Sequence, residues 1–88
     1  MTDSALVEVV ITESDWPADG KNADGLIRDW EVQAGDSVQA GDRLAEAVVV
    51  KTAIEIVSPV DGVVREVLVA KNQLFKPNTP LAVIEESP

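Results

Sequence analysis

Short runs of β-branched and other aliphatic residues, separated by turn-forming residues, dominate the hydrophobic pattern of the chain. These runs predict strands or short extended segments at residues 6–12, 25–32, 38–42, 44–50, 53–57, 63–69 and 81–85. The polar stretch at residues 13–24, broken by Pro17 and Gly20, predicts an exposed loop after the first strand. No window carries a long apolar stripe at helical spacing. The pattern therefore predicts an all-β fold.

The same pattern occurs twice along the chain. An offset of 37 residues, the separation of Gly25 from Gly62, aligns both strands and turns of the two copies. The aligned segments are Gly25–Val32 with Gly62–Val69, Gly35-Asp36 with Asn72-Gln73, Gly41 with Asn78, and Leu44-Ala45 with Leu81-Ala82. Asparagine replaces glycine in the second copy, and it is among the residues that best tolerate left-handed backbone. Chance similarity of two valine-rich strands is the alternative. Duplication predicts two half-units stacked as a sandwich with pseudo-twofold symmetry.

One segment, residues 47–54, has no internal counterpart and contains Lys51. In a symmetric arrangement this segment forms a hairpin at one end of the domain, and the chain termini lie at the other end. The amine of a lysine at such a turn can form an amide when it is deprotonated. The alternative is that Lys51 is a solubilising charge that blunts a hydrophobic hairpin.

Composition narrows the possible functions. The chain has 88 residues, neither cysteine nor histidine, and a formal charge of −9. It therefore lacks the thiol and imidazole groups of most nucleophiles, general bases and zinc sites. Its acidity disfavours nucleic acid and anionic membranes as partners, and no apolar run approaches the ~20 residues of a membrane span. We expect a single cytoplasmic domain over residues 1–88, with a core at about 5–86, that is not an enzyme in its own right.

Two segments of the sequence resemble biotinyl/lipoyl attachment domains. Residues 44–62 place Lys51 eight positions before Pro59, in the run that ends at Gly62, and residues 31–43 carry paired Gly-Asp turns. The resemblance covers residues 5–86 and is greatest to the lipoyl domains of 2-oxoacid dehydrogenase complexes. It implies a flattened β-barrel or sandwich of two four-stranded sheets, with Lys51 as the residue that bears the prosthetic group.

The residues around Lys51 help to identify the prosthetic group. Biotin-accepting members generally place methionine on both sides of the lysine, where this chain has Val50 and Thr52. Lipoyl members have a loop after the first strand and a glycine eleven residues after the lysine, here Gly62, which the resemblance makes a recognition position. Val48 and Val50 depart from the lipoyl pattern, which has acidic residues at both places. The resemblance implies covalent lipoate on Lys51, with biotin as the alternative.

A lipoyl domain carries acyl groups and reducing equivalents between enzymes on a swinging arm. The implied partners are a lipoate–protein ligase and the dehydrogenase, acyltransferase and dihydrolipoamide dehydrogenase components of a 2-oxoacid dehydrogenase-type complex. The chain is then either free-standing or part of a dihydrolipoamide acyltransferase. A biotin carboxyl carrier, a glycine-cleavage-type carrier and an unmodified structural adaptor remain as alternatives.

Trp16 and the acidic surface each admit two interpretations, whereas Trp30 admits one. Trp16, in the predicted loop, either contacts a partner or packs over the edge of the barrel. Trp30, in a predicted strand, is interpreted as a packing residue. The excess of carboxylates either complements basic partner surfaces or keeps the chain in solution.

Overall fold

Eight β-strands form the regular structure of the residues that the computed structural model describes, 5–18 and 23–87. The strands are β1 (Leu6–Val9), β2 (Gly25–Trp30), β3 (Ser37–Val38), β4 (Arg43–Val49), β5 (Thr52–Val57), β6 (Gly62–Val67), β7 (Leu74–Phe75) and β8 (Ala82–Glu86). A single 3₁₀ turn at Glu13–Asp15 precedes Trp16. The all-β prediction is confirmed.

The strands form two four-stranded antiparallel sheets. One has the order β1-β8-β6-β3 and the other the order β5-β4-β2-β7. Among the described residues, no strand of one sheet pairs with a strand of the other. The architecture is therefore a sandwich, and the barrel part of the expectation is corrected, because the sheets face each other without closing into a continuous ring.

The predicted duplication is visible in the backbone. β2 and β6 share one burial pattern and carry a bulge at the same place, between Ile27 and Asp29 and between Val64 and Glu66. The equivalent turns have left-handed residues at equivalent positions, with φ values of 100° at Gly35, 71° at Asn72, 91° at Gly41 and 66° at Asn78. The substitution of asparagine for glycine thus occurs where the backbone requires a positive φ.

The two halves exchange their short strands. β3 of the first half pairs with β6, and β7 of the second half pairs with β2. The exchange is reciprocal in its hydrogen bonds: Gly35 N donates to Val64 O, and Asn72 N donates to Ile27 O. Each half therefore completes the other's sheet, which gives the pseudo-twofold relation predicted from the sequence.

β1 takes the place that a continuation of the second repeat beyond β8 would fill. It pairs with β8 as β5 pairs with β4, so the β4–β5 hairpin has its counterpart where the described ends of the chain meet. The hairpin is at one pole of the sandwich, and Leu6 and Glu86 are at the other, as predicted.

The core lies between the sheets and is almost entirely aliphatic. Ile27, Leu44, Ile56, Leu81 and Ile84 are completely buried. Along β2, β6 and β8, buried residues alternate with exposed or half-buried ones, as expected for strands with one face on the core.

The structure differs from the sequence prediction at β1 and β7. β1 ends at Val9 and not at Thr12, because its partner β8 begins at Ala82, which pairs with Val9. The 3₁₀ turn follows only at Glu13. β7, at Leu74–Phe75, was not predicted as a strand. Two residues are too few for a visible alternation, although the repeat aligns Phe75 with Val38 of β3.

Candidate functional site

Lys51 lies at the tip of the hairpin that joins β4 to β5. The last strand pair is Val49 with Thr52, so Val50 and Lys51 alone form the loop. Both side chains are exposed. The turn requires a φ of 58° at Val50, an unusual conformation for a β-branched residue. Two-residue hairpin loops favour such left-handed conformations because these match the strand twist.

The Lys51 amine has no carboxylate partner in the described part of the chain. Nζ of Lys71 lies 3.8 Å from Asp29 Oδ1, and Nζ of Lys76 lies 3.1 Å from Asp24 Oδ1. Arg28 is likewise unpaired among the described cations, but a guanidinium remains protonated and is not an acyl acceptor. Lys51 thus combines exposure with an uncommitted amine.

A cluster of aromatic side chains supports the sheet beside this hairpin. Gly25 pairs with Val49 on one side and with Phe75 on the other. Trp16 meets Phe75 edge to face, with ring centroids 5.5 Å apart. A Cβ atom at Gly25 would lie 2.7 Å from Phe75 Cζ and 2.9 Å from Trp16 Cη2. The absence of a side chain at Gly25 lets both rings close over the end of the sheet that carries Lys51.

The burial of Trp16 decides between its two interpretations. Its side chain is only 8% exposed and belongs to the hydrophobic core, so it packs over the edge of the sandwich and does not present a free surface to a partner. The predicted loop is exposed in part, at residues 13–15, 18 and 24, and its residues 19–22, including Gly20, lie outside the described residues. Trp30 is also a packing residue, since its Nε1 donates a 2.8 Å hydrogen bond to Val69 O.

Gly62 lies far from Lys51, on the other sheet. It pairs with Glu86 and with Val38 at the pole where the described ends of the chain meet. A Cβ atom there would lie 2.1 Å from Glu85 O, closer than any two such atoms can approach. Close packing of β6 on β8 therefore gives a reason for glycine at this position that is independent of recognition.

A charged network joins β4, β5 and the residue that follows β2, away from the hairpin tip. Arg43 donates hydrogen bonds to Glu31 and to Glu55, the latter at 3.3 Å. The hydrogen bond and charge of Glu31, with a smaller contribution from Glu55, raise the pKa of Arg43 above its ordinary value. All three side chains are largely exposed, so the network orders the surface more than it stabilises the fold.

Two other kinds of site are relevant among the described residues, a metal site and a groove. These residues contain no group of His, Cys, Asp and Glu side chains arranged to hold a metal ion. A groove of about 500 Å³ is lined by Trp16, Pro17, Ala23, Lys76 and Pro77, beside the loop that follows β1. No helix in the part of the chain described here is long and apolar enough to cross a membrane.

Sequence reasoning located Lys51 but missed the support around it. Phe75, the contact between Phe75 and Trp16, and the need for glycine at position 25 depend on three segments that are distant in sequence. The one available signal was the repeat, which aligns Phe75 with the strand residue Val38 and Gly25 with Gly62.

Curated relatives match part of the chain. The acetyltransferase components of the pyruvate dehydrogenase complexes of Staphylococcus epidermidis and Staphylococcus aureus, named dihydrolipoyllysine-residue acetyltransferases, are 48% identical over 46 residues. The match covers 52% of this chain and 11% of each relative. The chain thus corresponds to a small portion of these larger proteins.

Solved structures share the fold. The lipoyl domain of the 2-oxoglutarate dehydrogenase complex from Azotobacter vinelandii superposes with a TM-score of 0.67 at 20% identity, covering 90% of this chain and 99% of that one. A single-chain, multi-domain long-chain acyl-CoA carboxylase superposes with a TM-score of 0.66 at 17% identity, covering 98% of this chain and 7% of the other. Lipoyl and carboxylase proteins therefore share this sandwich.

A family model described as "Biotin-requiring enzyme", which represents biotin and lipoyl attachment domains, matches residues 12–84. This match spans the two repeats, the hairpin between them and Lys51. Together with the paired four-stranded sheets, it shows that the chain belongs to the biotinyl/lipoyl attachment family.

Proposed function

We propose that the chain is a lipoyl carrier domain and that Lys51 is its attachment residue. The observation that carries the proposal is the exposed, unpaired amine of Lys51 at the tip of a two-residue hairpin. The acetyltransferase relatives support the lipoyl group over biotin, because their names specify a dihydrolipoyllysine residue. The absence of methionine at positions 50 and 52 points the same way.

The residues present fit an amide-linked group. In its neutral form, Lys51 Nζ attacks the carboxyl carbon of a lipoyl donor that has been activated with ATP. The amide C–N bond forms as the bond from that carbon to its leaving group breaks; the leaving group takes the electron pair, and the amine proton passes to solvent. The exposed hairpin presents Nζ without a competing carboxylate among the described residues.

The chain contributes position and reach. When bound, a lipoyl group supplies the disulfide and dithiol chemistry that carries acyl groups and electron pairs. The sandwich holds Lys51 at the pole opposite Leu6 and Glu86, so any polypeptide joined at either end leaves the hairpin free. Tethering replaces a diffusional encounter with a high local concentration at each partner enzyme.

The proposed partners are those of a 2-oxoacid dehydrogenase-type complex. They are a lipoate–protein ligase and the dehydrogenase, acyltransferase and dihydrolipoamide dehydrogenase components, in the cytoplasm. The similarity to pyruvate dehydrogenase components supports this assignment. In this scheme the chain carries intermediates and has no catalytic residue of its own.

The test is the intact mass of the chain after co-expression with a lipoate–protein ligase and added lipoate. We expect a gain of one lipoyl group, located on Lys51 by peptide mass analysis. Lys51→Arg, which keeps the positive charge but removes the acyl acceptor, should abolish the gain. Lys71→Arg is the matched control and should be modified like the wild type.

Two results would contradict the proposal. One is a wild-type chain that gains no mass, and the other is a gain that persists in Lys51→Arg. A parallel co-expression with biotin–protein ligase separates the two family chemistries, since a biotinyl gain on Lys51 would assign the chain to carboxyl transfer instead.

A further inference from the structure

Apolar side chains form a row across the outer face of the sheet that carries Lys51. Val48 pairs with Ala53 on β5 and with Leu26 on β2, and Leu26 pairs with Leu74 on β7. We call these four residues the apolar row. Directly paired residues lie on the same face of a sheet, and their chain neighbours Val49 and Phe75 are buried. The row therefore lies on the outer face, where Leu74 is 62% exposed, Ala53 is exposed, and Leu26 and Val48 are half-buried.

The duplicated fold provides its own comparison for this row. The pseudo-twofold relation maps the row onto four residues paired in the same way on the other sheet. These are Leu6, Glu85, Val63 and Ser37. Glu85 occupies the position equivalent to Val48, and Ser37 the position equivalent to Leu74. Glu85 forms a 3.1 Å ion pair with Arg65. The fold thus accepts polar side chains at two of the four places, so folding alone does not explain Val48 and Leu74.

The row lies close to the lysine and next to a row of carboxylates. Val48 and Ala53 form the second strand pair from the loop, next to the pair Val49–Thr52 that closes it. An enzyme that takes Lys51 Nζ into its active site contacts the hairpin, and the apolar row begins one strand pair away from the pair that closes the loop.

On the side away from the hairpin, Glu46 pairs with Glu55 and with Asp29 across the sheet. Glu55 and Asp29 form exposed ion pairs with Arg43 and Lys71, so the three carboxylates outnumber the two cations there. A complementary surface has an apolar centre bordered by lysine or arginine.

We propose that the apolar row is the docking surface for the ligase that acylates Lys51. The inference rests on the proposed function and adds the face of the domain that the ligase recognises and the chemistry of the ligase surface. Apolar burial at the row supplies affinity, and the adjacent carboxylates orient the ligase relative to the hairpin.

The test compares initial rates of lipoyl addition to purified, unmodified chains, with lipoate, ATP and a lipoate–protein ligase. The double variant Val48→Thr/Leu74→Ser makes the row polar and keeps strand-compatible residues. The control is Leu6→Ser on the other sheet, because Leu6 is 65% exposed, closely matching Leu74. Thermal unfolding confirms that all three chains are folded at the assay temperature.

We expect the double variant to lose about tenfold in kcat/KM through a higher KM, as for the loss of a few interface contacts, with kcat unchanged. Leu6→Ser should stay within about twofold of the wild type. Equal modification of wild type and double variant overturns the docking surface while the carrier function stands. An equal loss in Leu6→Ser also overturns it, whereas an unmodified wild type overturns the carrier function and this inference together.

Discussion

Val50 has a backbone conformation that is unfavourable for a β-branched residue. Its φ of 58° places a β-branched side chain in the left-handed region, immediately before Lys51. Such conformations cost of order 1–3 kcal/mol and persist where the surrounding structure enforces them. Here the pairing of Val49 with Thr52 closes the loop and leaves only Val50 and Lys51 to make the turn.

Val50→Gly should therefore stabilise the domain. Glycine removes the steric cost, about 1–2 kcal/mol, and loses roughly 0.5–1 kcal/mol through its more flexible unfolded state, for a net gain of up to about 1.5 kcal/mol. The measurement is the free energy of unfolding from urea titration. Val57→Gly is the control, because Val57 is similarly exposed, at 42% against 49% for Val50, but does not have a positive φ. It should lose stability, and a loss in both variants would show that Val50 is not strained.

At the scale of elements, the repeat was the most informative feature of the sequence. It predicted equivalent strands, equivalent turns and the positions of left-handed residues, because each depends on local sequence. It missed β7, whose two residues become a strand only by pairing with β2 of the other half. It also left the role of Trp16 open, since the burial of that ring depends on Phe75 and on the space above Gly25.

The two equivalent glycines should respond differently to alanine. At Gly25 the added methyl meets aromatic side chains, which can shift, and we expect a loss of about 1–3 kcal/mol. At Gly62 the methyl meets the backbone oxygen of Glu85. Relieving this clash requires β6 to move away from β8, so the loss of stability should be larger. Urea titration of both variants gives the order, and the opposite order would contradict this account.

Gly62→Ala also tests whether Gly62 is a recognition position. If glycine serves only the packing of β6 on β8, the folded fraction of the variant should still accept a lipoyl group on Lys51. Modification is measured at low temperature, where the folded fraction is largest, and is divided by that fraction from circular dichroism. A folded but unmodified Gly62→Ala chain would instead support direct recognition.

At the scale of the whole molecule, the charge of −9 is poorly balanced by the five ion pairs seen among the described residues. These pairs are largely exposed and contribute little each, whereas repulsion among the excess carboxylates acts over the whole surface.

Salt should therefore stabilise the domain. Raising NaCl from about 10 to about 300 mM shortens the Debye length from roughly 30 Å to under 10 Å, which screens the repulsion. We expect the Tm to rise by a few degrees in scanning calorimetry. Val48→Thr, which leaves the charge unchanged, is the control and should show the same increase. A fall in Tm with salt would mean that the ion pairs outweigh the repulsion.

The sequence by itself determined most of the strands, the duplication, the left-handed turn positions and the lysine at the hairpin, because alternation, turn chemistry and repeats depend on local sequence. The tertiary structure decided which sheet each short strand joins, that the sheets form an unclosed sandwich, and that Trp16 is buried. It also decided that Gly62 lies at the pole away from Lys51, and that four apolar residues from four strands meet in one row. Contacts of this kind join residues far apart in sequence, and only the register between strands brings them together.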